Sequence, residues 1–232
     1  MSTLYLIATP IGNLEDITAR ALRLLEEVDY IACEDTRNSG RLMKHFSIGT
    51  PMFSFHAHNE HFKVNHLVDL LNQGKEVALI SDAGTPAISD PGYLAVAAAL
   101  EAGHIVCPIP GASAAITALS ASGLPTDRFV FEGFLPHKKG RQTRILALLE
   151  EERTTIFYES PYRVVKLLKE FVTHLGGDRR VVLARELTKK FEEFRRGTAS
   201  ELLDLAEAEQ LKIKGEFVVL LEGVINKSSA NK

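Results

Sequence analysis

Ser81-Asp82-Ala83-Gly84-Thr85-Pro86-Ala87-Ile88-Ser89-Asp90-Pro91-Gly92 is the stretch whose reading decides the fold. Before it lies Glu76-Val77-Ala78-Leu79-Ile80, a short apolar run that reads as a buried strand. After it, Tyr93-Leu94-Ala95-Val96-Ala97-Ala98-Ala99-Leu100 reads as a helix that ends at Gly103. Strand-to-helix connections usually hold about 2–6 residues, and longer ones are usually functional. This one has twelve, among them two Gly, two Pro, two Asp and two Ser. At the carboxyl end of a parallel strand, such a loop is where α/β proteins bind ligands. The plainer alternative is a turn stiffened by Pro and capped by Asp and Ser.

Upstream, Thr3–Ala8 reads as a strand, followed by the loop Thr9-Pro10-Ile11-Gly12-Asn13-Leu14-Glu15-Asp16. Ile17, Ala21, Leu24, Leu25 and Val28 then recur at helical spacing, with Asp16 placed to cap the first turn. Tyr30–Cys33 is a second strand ending in Glu34-Asp35-Thr36-Arg37, so the first 35 or so residues form one strand–loop–helix–strand unit. Arg37, Arg41 and Lys44 follow at i, i+4 and i+7, a basic helical face that is either solvated or phosphate-binding. His56, His58, His61 and His66 cluster next. No Cys or carboxylate set completes a tetrahedral or facial-triad pattern around them, so no metal is expected.

Downstream, Ile105–Ile109 is another strand, running into Pro110-Gly111-Ala112-Ser113-Ala114-Ala115. Small residues opening a helix let a ligand approach backbone N–H groups closely, or let the helix pack tightly on a sheet. Phe129–Phe134 closes this half. Leu135-Pro136-His137-Lys138-Lys139-Gly140-Arg141 then reads as the domain boundary, a basic run bracketed by Pro and Gly with no apolar period. A first domain over 1–135 and a second over 141–223 follow, with 224–232 as a disordered tail. In the second domain Thr154–Glu159 is a strand and Ser160-Pro161 starts a helix. Arg180–Arg185 and Phe191–Gly197 are neighbouring strands, Thr198 or Ser200 caps a helix, and Glu216–Leu221 is the last strand.

Composition sets outer limits. An apolar content of 45% and a charged content of 25% are those of a soluble globular chain. No apolar run reaches the roughly 18 residues of a membrane span, and the N-terminus has no signal-peptide pattern, so a cytoplasmic protein is expected. Cys33 and Cys107 lie in apolar runs and read as buried thiols. A net charge of −3 argues against non-specific binding to nucleic acid, so any RNA contact must come from local patches. Neither G-x-G-x-x-G nor a P-loop is present, and no G-x-S-x-G elbow appears.

Five motifs occur together and in order: Ala8 through Thr18, Cys33-Glu34-Asp35-Thr36-Arg37, Ser81 through Gly92, Pro110-Gly111-Ala112-Ser113-Ala114, and Tyr158-Glu159-Ser160-Pro161. On these the chain resembles the tetrapyrrole methylase family, the class III methyltransferases that use S-adenosylmethionine. Within it the resemblance is to the branch that methylates the ribose 2′-hydroxyl of a cytidine in bacterial 16S ribosomal RNA of the small ribosomal subunit. It spans Thr3 to about Gly223. The resemblance implies two α/β domains with the cofactor cleft between them, and a homodimer. It implies cofactor contacts at Pro10, Asp82, Ala83, Gly84, Thr85, Ser113, Ala114 and Tyr158. The first loop departs from the G-x-G-P-G of the tetrapyrrole enzymes and reads Ala8-Thr9-Pro10-Ile11-Gly12, which points toward an RNA acceptor.

A ribose hydroxyl is a poor nucleophile at neutral pH, so a carboxylate about 3 Å away would help remove its proton. Glu34, Asp35, Asp82 and Glu159 are the candidates, each at the end of an expected strand. The alternative for each is helix capping or pairing with an Arg such as Arg37 or Arg163. For the RNA backbone, Lys138, Lys139 and Arg141 are the densest basic group, with Arg37, Arg41 and Lys44 extending it; a merely solvated linker is the alternative. Two other functions stay open: a methyltransferase acting on a tetrapyrrole-like small molecule, and a non-catalytic nucleotide- or RNA-binding module.

Overall fold

The computed structural model describes residues 1–56 and 60–224, with side chains in the second stretch from residue 62 onward. The expectations for His58, for the His61 side chain and for the tail beyond Val224 lie outside the described residues. Val224 itself is tied down, its N–H donating to the Glu151 carbonyl at 2.7 Å. Among the described residues no helix is long and apolar enough to cross a membrane.

The chain divides into two compact units, Met1–Ser113 and Ala114–Lys232. In the first, five strands form one sheet: β1 (Thr3–Ile7), β2 (Tyr30–Cys33), β3 (Met52–Ser54), β4 (Val77–Ile80) and β5 (Ile105–Ile109). Their order is β3-β2-β4-β1-β5, and every pairing is parallel. A parallel sheet needs cover on both faces, so its central strand carries no polar alternation. β4 shows this, with all four residues buried. Ala78 and Ile80 pack with Leu24, Leu25 and Val28 around helix α1 (Ala19–Glu27), and with Met43 of α2 (Thr36–His45). Val77 and Leu79 face the other way, onto Leu67 and Leu71 of α3 (Glu60–Asn72) and Ala95 and Ala99 of α4 (Tyr93–Glu101).

The strand–loop–helix–strand unit expected over the first 35 or so residues is present, with β4 lying between its two strands in the sheet. One local expectation differs. The α1 cap is Thr18, whose hydroxyl accepts the Ala21 N–H at 3.0 Å, because Asp16 is taken up in a short 3-10 turn over Leu14–Asp16.

The second unit holds a mixed sheet ordered β6-β7-β10-β8-β9. Its strands are β6 (Phe129–Phe134), β7 (Thr154–Glu159), β8 (Arg180–Arg185), β9 (Glu193–Thr198) and β10 (Phe217–Leu221). β6 runs parallel to β7, and the remaining pairings are antiparallel, including the expected β8–β9 neighbours. On one face Phe157, Val181, Leu183, Val219 and Leu221 pack against Val164, Leu167, Leu168 and Phe171 of α7 (Pro161–Leu175). Helix α6 (Arg141–Ala147) and helix α8 (Ala199–Glu207) complete that layer, α8 starting at a capping box in which Thr198 and Glu201 cap each other's N–H groups. The short α5 (Ala114–Ser120) lies against β7 and β10.

The units part at Ser113/Ala114 rather than in the basic run 136–140. The reason is non-local: β6, expected to close the first half, pairs with β7 from Phe129↔Thr154 to Phe134↔Tyr158.

Candidate functional site

Because β4, β1 and β5 are adjacent and parallel, the loops after them emerge at one edge of the first sheet. Those are the three loops singled out in sequence, and hydrogen bonds tie them together. Thr9 and Gly84 form an isolated antiparallel bridge, and the Thr9 hydroxyl donates to the Ser81 carbonyl at 3.1 Å. The Thr85 hydroxyl donates to the Ala112 carbonyl at 3.1 Å. Gly111 lies so close to Ala8 that a Cβ there would sit 2.8 Å from the Ala8 Cβ.

The long loop is held in unusual backbone conformations. Ala87 and Ser89 have φ of 67° and 62°, and Gly84 has φ of 82°. Non-glycine residues in this left-handed region cost about 1–3 kcal/mol each and cluster at functional sites. The expected cofactor residues of this unit thus come together: Pro10, Asp82, Ala83, Gly84, Thr85 and Ser113 all lie on the three joined loops. In the second unit, Ala114 opens α5, and the Tyr158 hydroxyl accepts the N–H of Ala115 at 3.2 Å. The Tyr158 ring meets Phe131 and Phe134 edge-on, with centroids 5.0 and 5.6 Å away.

The four carboxylate candidates separate by environment. Asp35 is the N-cap of α2: it accepts the Arg37 N–H at 2.8 Å and pairs with the Arg37 guanidinium at 2.7 Å. Those hydrogen bonds hold its carboxyl far below the usual range, so it is a poor base. Glu159 is 2% exposed and pairs with Arg163 at 2.6 Å and Arg141 at 3.5 Å, while accepting the Ser160 N–H at 2.8 Å. For both, capping and pairing prevail over the catalytic reading. Asp82 is exposed and accepts the Asp35 N–H at 3.2 Å. Glu34 is different: burial pushes its carboxyl up, and the charges of Asp90 and Asp82 push it further. Asp90, which sequence reading passed over, is itself pushed up by burial, with a hydrogen bond from Ser81 opposing and the Asp82 charge adding. Glu34, Asp82 and Asp90 are therefore one interacting acidic group beyond β2 and β4.

The basic residues separate as well. Arg141 is 3% exposed and is a structural residue, not a surface cation. Its guanidinium pairs with Glu170 at 2.8 Å and with Glu159, and donates to the Pro136 carbonyl at 3.3 Å. Arg37 is exposed but paired with Asp35. Arg41, Lys44, Lys138 and Lys139 are exposed and pair with no carboxylate among the described residues.

A family model described as Tetrapyrrole (Corrin/Porphyrin) Methylases matches residues 3–203. The chain is 53% identical over 221 residues to the "Ribosomal RNA small subunit methyltransferase I" of Vibrio cholerae serotype O1, covering 95% of this chain and 77% of that protein. It is 52% identical to the protein of the same name from Escherichia coli O157:H7, again over 95% and 77%. Among solved structures, a cobalt precorrin-4 methyltransferase superposes with a TM-score of 0.65 at 20% identity, over 95% of this chain and 94% of that one. A uroporphyrin-III C-methyltransferase from Thermus thermophilus, complexed with S-adenosyl homocysteine, superposes with a TM-score of 0.64 at 19% identity, over 95% and 97%. At such identity the superpositions speak for the fold. Joined with the match over residues 3–203, they put the three tied loops and the two sheets in a known setting: the chain belongs to the tetrapyrrole (corrin/porphyrin) methylase family.

Proposed function

We propose that the chain transfers a methyl group from S-adenosylmethionine to the ribose 2′-hydroxyl of a cytidine in 16S ribosomal RNA of the small ribosomal subunit. The observation that carries this reading is the identity of 52–53%, over 95% of the chain, to proteins named as small-subunit ribosomal RNA methyltransferases. The site's chemistry fits the cofactor. The joined loops offer small side chains and backbone groups, and Glu34, Asp82 and Asp90 supply negative charge that suits a cationic ligand.

When bound, S-adenosylmethionine supplies an electrophilic methyl group on a sulfonium. Within the first unit Pro10, the Asp82-Ala83-Gly84-Thr85 loop and Ser113 would hold it, chiefly by backbone groups. The bridged loops fix these groups before ligand arrives, which lowers the ordering cost of alignment. Glu34 accepts the ribose proton on a carboxylate oxygen. Its raised pKa makes it a stronger base than an ordinary Glu. Asp82 and Asp90 sustain that shift. Arg41, Lys44, Lys138 and Lys139 hold RNA phosphates. The protein works in the cytoplasm, without a metal and as a homodimer, which sedimentation equilibrium at micromolar concentration would contradict by returning a monomer.

The deciding assay supplies methyl-labelled S-adenosylmethionine with purified small subunits, with deproteinised 16S RNA and with a tetrapyrrole acceptor. Label at one cytidine ribose of the RNA is expected. Label on the tetrapyrrole alone, or cofactor binding with no transfer to either, would overturn the reading in favour of the small-molecule enzyme or the binding module.

A further inference from the structure

A cleft of about 310 Å³ opens in the first unit beside the loop that follows β1. Asn38, Arg41 and His45 line it from α2; at i, i+3 and i+7 they share one helix face. Pro10 and the buried Thr9 line it from the β1 loop, and Asp82 from the loop after β4. The volume is at the lower end of small-ligand sites, which run about 300–1,000 Å³.

We propose that this cleft receives the acceptor nucleotide itself, splayed out of a single-stranded RNA segment, with Arg41 and His45 on its phosphate and Asn38 on its base edge. This rests on the ribosomal RNA reading above and names the place on the chain where that substrate enters. Three observations carry it.

The first is charge. Arg37, one turn before Arg41, is neutralised by Asp35, whereas Arg41 has no carboxylate partner among the described residues and faces a concave space. In a chain of net charge −3, an unpaired guanidinium in a cleft is a specific anion contact rather than part of a general basic coat.

The second is the mixture of groups. Arg41 and His45 can meet a phosphate, Asn38 offers both a donor and an acceptor to a base edge, and Leu14 and Leu42 add apolar surface for a ring. Sequence-selective RNA sites join these elements around an unstacked base.

The third is position. Asp82 belongs both to this cleft and to the acidic group that raises Glu34, so the cleft borders the group that contains the proposed base. A duplex does not enter a space of this size, so the target must be a flipped or loop nucleotide.

The test separates this inference from the function it rests on. Cytidine 5′-monophosphate is titrated into nitrogen-15-labelled protein while amide shifts are followed, with cytidine as the phosphate-free control. Shifts clustered at Asn38, Arg41 and His45 are expected, and stronger with the nucleotide than with the nucleoside. R41A/H45A should weaken nucleotide binding about 10–100-fold, the range for hydrogen bonds to charged groups. R41K should recover part of it. In turnover, R41A/H45A should raise KM for small subunits by a similar factor, with S-adenosylmethionine affinity unchanged. Nucleotide shifts elsewhere on the protein, or an unchanged KM in a variant that still turns over, overturn the cleft assignment. A wild-type protein that binds the nucleotide here yet methylates no RNA supports the cleft and overturns only the function.

Discussion

Thr9 and Gly84 exchange two backbone hydrogen bonds, each of 2.9 Å, joining the loop after β1 to the loop after β4. The pair behaves as one residue of sheet laid across the edge where two adjacent parallel strands end. Gly84 can take this role because its φ is 82°, a region where side chains with a Cβ are strained.

Gly84→Val should therefore break the bridge. A β-branched residue is a genuine outlier at such φ, and its Cβ would stand 3.4 Å from Ile11 Cγ2. No residue of the loop belongs to either core of this unit, so the variant should fold. S-adenosylmethionine binding by calorimetry should fall at least about tenfold, equivalent to about 1.4 kcal/mol. Full affinity in a folded variant would remove the loop from the cofactor site.

Glu34→Gln isolates the proposed base. A carboxylate accepts a proton only when ionised, so kcat should rise with pH through a window above the ordinary Glu value, since burial, Asp90 and Asp82 raise this group. Glu34→Gln should lower kcat by about 10²–10⁴ and remove that acidic limb, with a much smaller loss of cofactor affinity from the missing charge. Stability responds with a fixed sign. A carboxyl whose folded-state pKa exceeds its unfolded value contributes stability below the unfolded pKa, and this is lost as pH rises through the folded pKa. The Gln variant escapes that loss and should melt at or above the wild-type temperature at neutral pH. A pH profile of kcat identical in the two proteins would exclude Glu34.

What was legible in the sequence was local. The apolar run 77–80 with its Gly- and Pro-rich continuation announced β4 and its loop, because a strand buried on both faces leaves a continuous apolar signature. Strand order was not legible: nothing in residues 1–35 encodes that β4 will come to lie between β1 and β2. The unit boundary was misplaced for a related reason. Pro136, Gly140 and the Lys pair have linker composition, but β6 upstream pairs with β7 downstream, which draws the whole segment into the second unit. The fate of each carboxylate also depended on partners at a distance. Arg37 and Arg163 are recognisable in sequence as partners, but nothing there distinguishes Glu34 from Glu159 without their burial and neighbours. Asn38 and His45, which line the cleft beside Arg41, were not singled out, although 38, 41 and 45 share one helix face.

Arg141 and Glu159 provide a stability test. Both are buried, and Arg141 links Glu159 to Glu170. Removing one member of a buried pair leaves an uncompensated charge and costs about 3–5 kcal/mol. Arg141→Ala should therefore lower the urea midpoint sharply, whereas Lys139→Ala, at an exposed position, should stay within about 0.5 kcal/mol of wild type. Equal small effects from the two substitutions would mean that the Arg141 pairs contribute nothing to folding.

Lys138 and Lys139 are what remains of the basic run as an RNA contact once Arg141 is assigned to the interior. Both ammonium groups are exposed and have no carboxylate partner among the described residues, so both are available to phosphates. Phosphate contacts position RNA without reading bases, and each displaces counterions from the strand. Lys138→Ala/Lys139→Ala should weaken small-subunit binding at every salt concentration. It should also shallow the log–log salt slope by about 1.4–1.8, taking about 0.7–0.9 per contact. S-adenosylmethionine affinity should not change, because the joined loops that would hold the cofactor contain neither lysine. R41A/H45A should add a further loss in slope in the triple and quadruple combinations, since those groups would meet a different phosphate. A slope equal to that of wild type in the double lysine variant would identify residues 136–140 as a solvated connection and leave the α2 cations as the RNA contact.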